Sequence, residues 1–175
     1  MYSVPTAFMK AALLCASTEK LRYYLKGVYV DPAGLIAATD GHRLFVGKLC
    51  ESAKPAEGFI IPSEVIKSAI AFHKNAVVEF DEAQIAGRPY TPVDGFYPDW
   101  RRVVPYQCDG RTAQFNTAYV NDFGKIAKAW KSKAQFFHNG DGPAGVDLGH
   151  AECFGVLMPL RFKDTIWNPT RVIGN

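Results

Sequence analysis

The feature that most constrains this chain is a structural period: three segments that each open a helix and then run through short strands. Helix starts fall near residues 6, 63 and 117, a spacing of roughly 55 residues, above the range of most solenoid repeats. The first segment, 6–26, is rich in Ala, Leu, Lys and Glu and is stopped by Gly27, which predicts one helix. Val28–Val30, the turn Asp31-Pro32-Ala33-Gly34, Leu35–Ala38 and Arg43–Leu49 then read as strands and a type I turn. In the second segment Phe59–Pro62 predicts a strand, and Ser63 caps a helix to about Lys74. Val77–Phe80, Gln84–Arg88 and a stretch ending near Val104 follow as strands. In the third, Gln114–Asn116 predicts a strand and Thr117–Lys133 a helix. Phe136–His138, Val146–Leu148 and Cys153–Phe162 are its strands, with Asn139-Gly140-Asp141-Gly142 as turn chemistry. The letters themselves hardly repeat. The pattern predicts an α+β fold of three strand-helix-three-strand units, with helices on one face of antiparallel sheets.

Composition excludes several classes. The chain has 175 residues, 48% hydrophobic and 21% charged, which is ordinary for a globular protein. No apolar run is long enough for a membrane span, and no basic-then-apolar leader opens the chain. Cys15, Cys50, Cys108 and Cys153 are far apart, which suits reduced thiols and a cytoplasmic setting. A net charge of +3 does not announce nucleic-acid binding by itself, so any basic face depends on placement. In the third helix Val120, Phe123, Ile126, Ala127 and Trp130 share a stripe, leaving Lys125 and Lys128 on the far side. Lys10, Lys20, Arg22 and Lys26 load the first helix similarly, and Lys67 and Lys74 the second. A solvated lysine face and a phosphate-facing surface both fit.

Catalytic and metal motifs are missing. His150-Ala151-Glu152-Cys153 begins like the zinc deaminase signature, but no cysteine follows to complete the site. The chain has no Cys-x-x-Cys pair, no phosphate-cradling glycine loop and no Gly-x-Ser-x-Gly turn. Asp40 and His42 are close but have no accompanying nucleophile. The expectation is a binding protein with no catalytic residues, metal or cofactor.

Two stretches are specific. Ala38-Thr39-Asp40-Gly41-His42-Arg43-Leu44 falls between two strands, and Tyr97-Pro98-Asp99-Trp100-Arg101-Arg102-Val103-Val104-Pro105 leaves the second unit. Both resemble signatures of the bacterial DNA sliding clamp, the β subunit of the replicative polymerase. Val156-Leu157-Met158-Pro159-Leu160-Arg161-Phe162 is similar to that family's closing strand, and Phe115-Asn116-x-x-Tyr119-Val120 to the opening of its last half-domain. The resemblance implies a full clamp-like domain at 1–105 (units near 6–50 and 58–105). A half domain at 112–162 and an extension at 163–175 complete the division.

It also implies a groove for the peptide tails of polymerases and other replication or repair proteins. Its wall would hold Thr39, Gly41, His42, Arg43 and Leu44 from the first unit, and Pro98, Arg102 and Val103 from the second. Asn116, Tyr119, Val120, Val156, Met158, Pro159 and Arg161 would come from the third. The apolar members suit leucine or phenylalanine anchors, and the arginines and histidine can donate to peptide carbonyls. The expected function is a clamp-like processivity factor, from a phage or mobile element given its economy, that binds duplex DNA non-specifically through Lys10, Lys20, Arg22, Lys26, Lys67, Lys74, Lys125 and Lys128. The alternative is a non-encircling adaptor or decoy that keeps only the groove. An odd number of units leaves one without its pair, so a homo-oligomer is expected, a dimer or a tetrameric ring.

Overall fold

The computed structural model describes residues 1–50, 54–71 and 75–161. In the first unit β1 (Tyr2–Pro5) leads into α1 (Thr6–Cys15), followed by β2 (Gly27–Asp31), β3 (Leu35–Thr39) and β4 (Arg43–Lys48). In the second, β5 (Phe59–Pro62) leads into α2 (Ser63–Ile70), β6 (Val77–Phe80), β7 (Gln84–Ile85) and β8 (Arg88–Pro89). The third has α3 (Thr117–Lys128), β9 (Gln135–Phe137), β10 (Ala144–Asp147) and β11 (Cys153–Leu157). The architecture is α+β with antiparallel sheets, as the period predicts.

The units are woven together by their opening strands. β1 leaves its own unit to pair with β6, and β5 crosses back to pair with β2. The result is a four-stranded sheet, β1-β6-β7-β8, and a seven-stranded one, β5-β2-β3-β4-β11-β10-β9. The third unit joins the first through β4 and β11, in a register running from Arg43 opposite Leu157 to Gly47 opposite Cys153.

Strand alternation divides the large sheet into two faces. Val28, Val30, Ile36, Ala38, Phe45, Ile61 and Leu157 point to the side covered by all three helices, meeting Phe8, Met9, Ile66, Phe123 and Ile126 in one core. Ala37, Leu44, Val46, Ile60 and Val156 point the other way, under Tyr97 and Trp100. Tyr97 stacks on Tyr29 at 4.8 Å and accepts the Thr39 N–H at 3.1 Å. Gly155 is required where the Phe123 ring crosses β11, because a Cβ there would run into the ring.

Several expected boundaries differ. α1 ends at Cys15, not Lys26: Ala16 turns extended, and Ser17 Oγ takes the Glu19 N–H at 3.1 Å. The helix-forming letters beyond it have no buried stripe to follow, since Leu21 is 93% exposed and Leu25 belongs to the opposite core. Tyr23–Leu25 forms a 3₁₀ turn instead. α3 stops at Lys128, and Lys131 then takes a left-handed φ of +56°. Ser63 is the first residue of α2 and caps nothing; Pro62 holds the cap position. That helix ends at Ile70, short of Lys74, which lies outside the described residues. The stretch ending near Val104 is a 3₁₀ turn, Trp100–Val103, rather than a strand. β11 ends at Leu157, whereas Phe162 lies outside the described residues. The strand β1, at Tyr2–Pro5, is an additional element, outside the expected ones.

The expected strand at Gln114–Asn116 does not form. In the first two units the opening strand is taken up by the sister unit, and among the described residues the third has no sister. Its opening segment lies beside β9 instead, with Gly110 N–H donating to the His138 carbonyl at 3.0 Å and Gly140 N–H to the Arg111 carbonyl at 2.8 Å. Phe115 sits 6.1 Å from Phe136.

Candidate peptide-binding groove

A cavity of about 310 Å³ opens on the sheet face away from the helices, where the first and third units meet. Four chain segments build it. The first is the turn between β3 and β4. Asp40 Oδ1 accepts the N–H groups of His42 and Arg43 at 2.9 and 3.1 Å. Thr39 Oγ1 donates to the Arg43 carbonyl at 2.6 Å and accepts the Gly41 N–H at 3.0 Å. Gly41 has φ +91°, and a side chain there would press on the Arg22 guanidinium at 2.8 Å. Thr39, Gly41, Arg43 and Leu44 line the cavity.

The second segment supplies Pro98, Asp99, Trp100 and Val103. It is anchored by Arg101, whose guanidinium binds Asp31 in a two-point contact at 2.7 and 2.9 Å and lies 4.3 Å over the Trp100 ring. Burial pushes the Asp31 carboxyl up, but the Arg101 bonds and the Ala33 N–H outweigh it and hold it below the ordinary range. The third segment is the end of β11, contributing Val156 and Met158, with Met158 N–H bonded to the His42 carbonyl at 2.8 Å. The fourth was missed in the sequence reading: Arg22, Tyr24 and Leu25. Arg22 was assigned to a phosphate-facing helix, but α1 ends before it and its side chain reaches the groove.

Of the fifteen residues expected in the wall, eight line this cavity: Thr39, Gly41, Arg43, Leu44, Pro98, Val103, Val156 and Met158. The other seven do not line it. His42 stacks on Tyr119 at 6.1 Å, and Arg43 lies 4.4 Å over the same ring. Asn116 caps α3 through the Ala118 N–H at 3.0 Å, and Val120 packs against the helix-side core. Arg102 is exposed and pairs with Asp99 at 3.3 Å. Pro159 is half-buried, and Arg161 lines a separate depression with Thr112 and Asp141. A larger cavity, about 530 Å³, lies between residues 104–108 and the outer face of β10 and β11, and shares only Val156 with the expected wall.

The groove's chemistry is apolar with cations at the rim. Arg43 was expected to serve a ligand, yet its donors go to Asp40 at 3.0 Å and Asp122 at 2.6 Å. Arg22, half exposed and 3.8 Å from Glu19, retains donors that a peptide carbonyl or carboxylate can take. His150 packs edge-on to Phe8 and beside Trp130, and among the described residues no His, Cys, Asp and Glu cluster is arranged to hold a metal.

Among solved structures, the sliding clamp of Bacillus subtilis superposes with a TM-score of 0.71 at 16% identity, covering 93% of this chain and 64% of that one. The fold is that of the bacterial sliding clamp. The Caulobacter crescentus clamp crystallised with polyethylene glycol gives a TM-score of 0.70 at 20% identity over 92% of this chain and 65% of that one. The Bartonella birtlesii clamp bound to griselimycin gives 0.67 at 19% identity over 91% and 65%. At these identities the likeness concerns the fold alone. In sequence, the Caulobacter vibrioides β sliding clamp is 32% identical over 108 residues, 51% of this chain and 29% of that protein. The chain therefore spans less than a third of the curated clamps it matches and about 65% of the solved ones. No family model matches it.

The helix side carries most of the other expected cations. Lys10, Lys67, Lys125 and Lys128 are exposed on α1, α2 and α3. Lys125 pairs with Asp122 at 2.7 Å, whereas Lys10, Lys67 and Lys128 have no ion pair among the described residues. Lys20 and Lys26 lie beyond the end of α1, and Lys74 lies outside the described residues.

Proposed function

We propose that this protein binds short, apolar-anchored peptide tails of replication or repair proteins in the groove, as a clamp-like tether. One observation carries the reading. Three stretches far apart in sequence, 39–44, 98–103 and 156–158, meet at one apolar cavity that the half-exposed Arg22 also lines. Leu44, Val103, Val156 and Met158 accept a leucine or phenylalanine anchor, and Met adapts to differing ligands. A peptide of the Gln-x-x-Leu-Phe type binds with micromolar affinity, about −8 kcal/mol. Fluorescence anisotropy with the labelled peptide tests this, Met158→Asp being the variant that abolishes binding.

The reading includes duplex DNA as a second, non-specific partner. Its support is the unpaired Lys10, Lys67 and Lys128 on the helix side, away from the groove. Retention on closed circular DNA separates a processivity factor from an adaptor that never encircles DNA. Self-association belongs to the same reading. Among the described residues the third unit has no sister to exchange opening strands with, and a second copy supplies one. A dimer, or four chains in a dihedral ring, follows.

A further inference from the structure

The chain leaves the groove just after β11. Met158 lines it, Leu160 N–H donates to the Gln114 carbonyl at 2.7 Å, and Arg161 is the last of the described residues. Residues 162–175 follow. We propose that this segment seats its Ile166-Trp167 pair in the groove of its own chain and so competes with incoming peptides. The inference rests on the groove reading and adds a regulator to it.

Reach allows the return. An extended chain advances at most about 3.6 Å per residue, so Arg161, three residues past Met158, stands within roughly 11 Å of it. The five residues from Arg161 to Ile166 span up to about 18 Å. Folding back therefore uses less than about two-thirds of the contour at hand, which leaves slack for a reversal.

The anchor chemistry also fits. Leu44, Val103, Val156 and Met158 suit an aliphatic side chain followed by an aromatic one, and Ile166-Trp167 has that order. Asp164, two residues earlier, supplies a carboxylate for the half-exposed Arg22 guanidinium. Beyond the anchor pair the match is poor. In Gln-x-x-Leu-Phe the glutamine stands three residues before the leucine, where this segment has Lys163 before Ile166. The segment is thus a weaker ligand than a partner's tail, and its advantage is the tether. A ligand on a short linker meets its site at an effective concentration on the order of 1 mM. With an intrinsic Kd of about 100 µM it fills roughly nine grooves in ten, which weakens an incoming peptide about tenfold. The same segment on a second copy, at micromolar protein, lacks that advantage.

The test titrates the full chain into a labelled Gln-x-x-Leu-Phe peptide, as wild type and as Ile166→Ser with Trp167→Ser. The double variant is expected to bind about tenfold more tightly, with unchanged circular dichroism. A synthetic 162–175 peptide should displace the label from the variant at about 100 µM and from the wild type at about tenfold more. The same peptide carrying both serines should displace it from neither. Equal affinity of wild type and double variant overturns the proposal and leaves the groove reading intact. A 162–175 peptide that displaces nothing at millimolar concentration overturns it as well. No binding of the labelled peptide by either form removes the groove reading, and this inference with it. Light scattering decides whose segment acts. Equal masses for the two forms support the segment's own chain, whereas a mass that falls with the serines gives it to a second copy and overturns the assignment.

Discussion

The guanidinium of Arg43 and the carboxylate of Asp122 meet at 2.6 Å across the seam between the first and third units. Both side chains are more than four-fifths buried, and Arg43 also holds Asp40 at 3.0 Å while covering the Tyr119 ring. An arginine expected to face a ligand is thus the fastener that holds α3 against the β3–β4 turn. Removing one partner strands the other's charge in a poorly solvated place. Arg43→Ala is expected to destabilise by about 2–4 kcal/mol in urea unfolding. Asp122→Ala should add little once Arg43 is gone, so a double-mutant cycle reads a large coupling. Additive effects would mean the contact does not hold the units together.

The same pair gives a pH dependence. Burial pushes the Asp122 carboxyl up, but bonds from Lys125 and Arg43 outweigh it and leave it below the ordinary 3.8. Asp31, held by Arg101, is depressed for the same kind of reason. A carboxyl depressed in the folded state contributes stability that is fully present above its unfolded value and is lost as pH falls through the folded one. Stability is therefore expected to change little in this respect from neutral pH to about 5, and to fall below about 4. Thermal melts across that range check it. Asp122→Asn should flatten part of the acid limb.

Gly155 tests how α3 is seated. A methyl group there meets the Phe123 ring, itself fully buried against the helix-side core. Gly155→Ala is expected to cost about 1–3 kcal/mol, as overpacked cores do. Shortening the ring should restore part of it, so Phe123→Leu is expected to be less harmful in the Gly155→Ala background than alone. Unfolding curves of the four combinations decide this.

Burial sorts the four cysteines. The Cys15 and Cys153 thiols are pushed up to about 12 by burial, which leaves about one molecule in ten thousand as thiolate at pH 8. Cys50 is exposed and Cys108 half-buried. In a native thiol titration with a chromogenic disulfide, Cys50 should react first and Cys108 more slowly. Cys15 and Cys153 should wait for denaturant. Prompt reaction of all four would contradict the packing of α1 and β11.

Much of this architecture was legible because period and turn chemistry are local. β5 and β6 match their expected limits, and the Asp31–Gly34 turn forms with Ala33 N–H on Asp31 Oδ1 at 2.7 Å. What was not legible depended on partners distant in sequence. Composition favoured helix through Lys26, but Leu25 is drawn to the far side of the sheet by Leu44 and Trp100. Gln114–Asn116 has the letters of an opening strand without the sister unit that would pair with it. At the groove, Thr39–Leu44 and Pro98–Val103 stood out as unusual stretches, whereas Arg22, Tyr24 and Leu25 reach it only through the early end of α1. That Arg43 serves Asp122 rather than a ligand required the fold.

The groove itself is tested most directly by titrating the full chain into a labelled Gln-x-x-Leu-Phe peptide. The expected Kd lies in the micromolar range, roughly −8 kcal/mol. Met158→Asp places a charge among Leu44, Val103 and Val156, and should weaken binding at least about a hundredfold, near 3 kcal/mol. Arg102→Ala, at a side chain 83% exposed and paired with Asp99, should cost less than about tenfold. Circular dichroism on each variant confirms that the fold is kept. A wild type that shows no saturable binding at high micromolar concentration, or a Met158→Asp variant that binds as well as the wild type, would contradict a peptide groove at this seam.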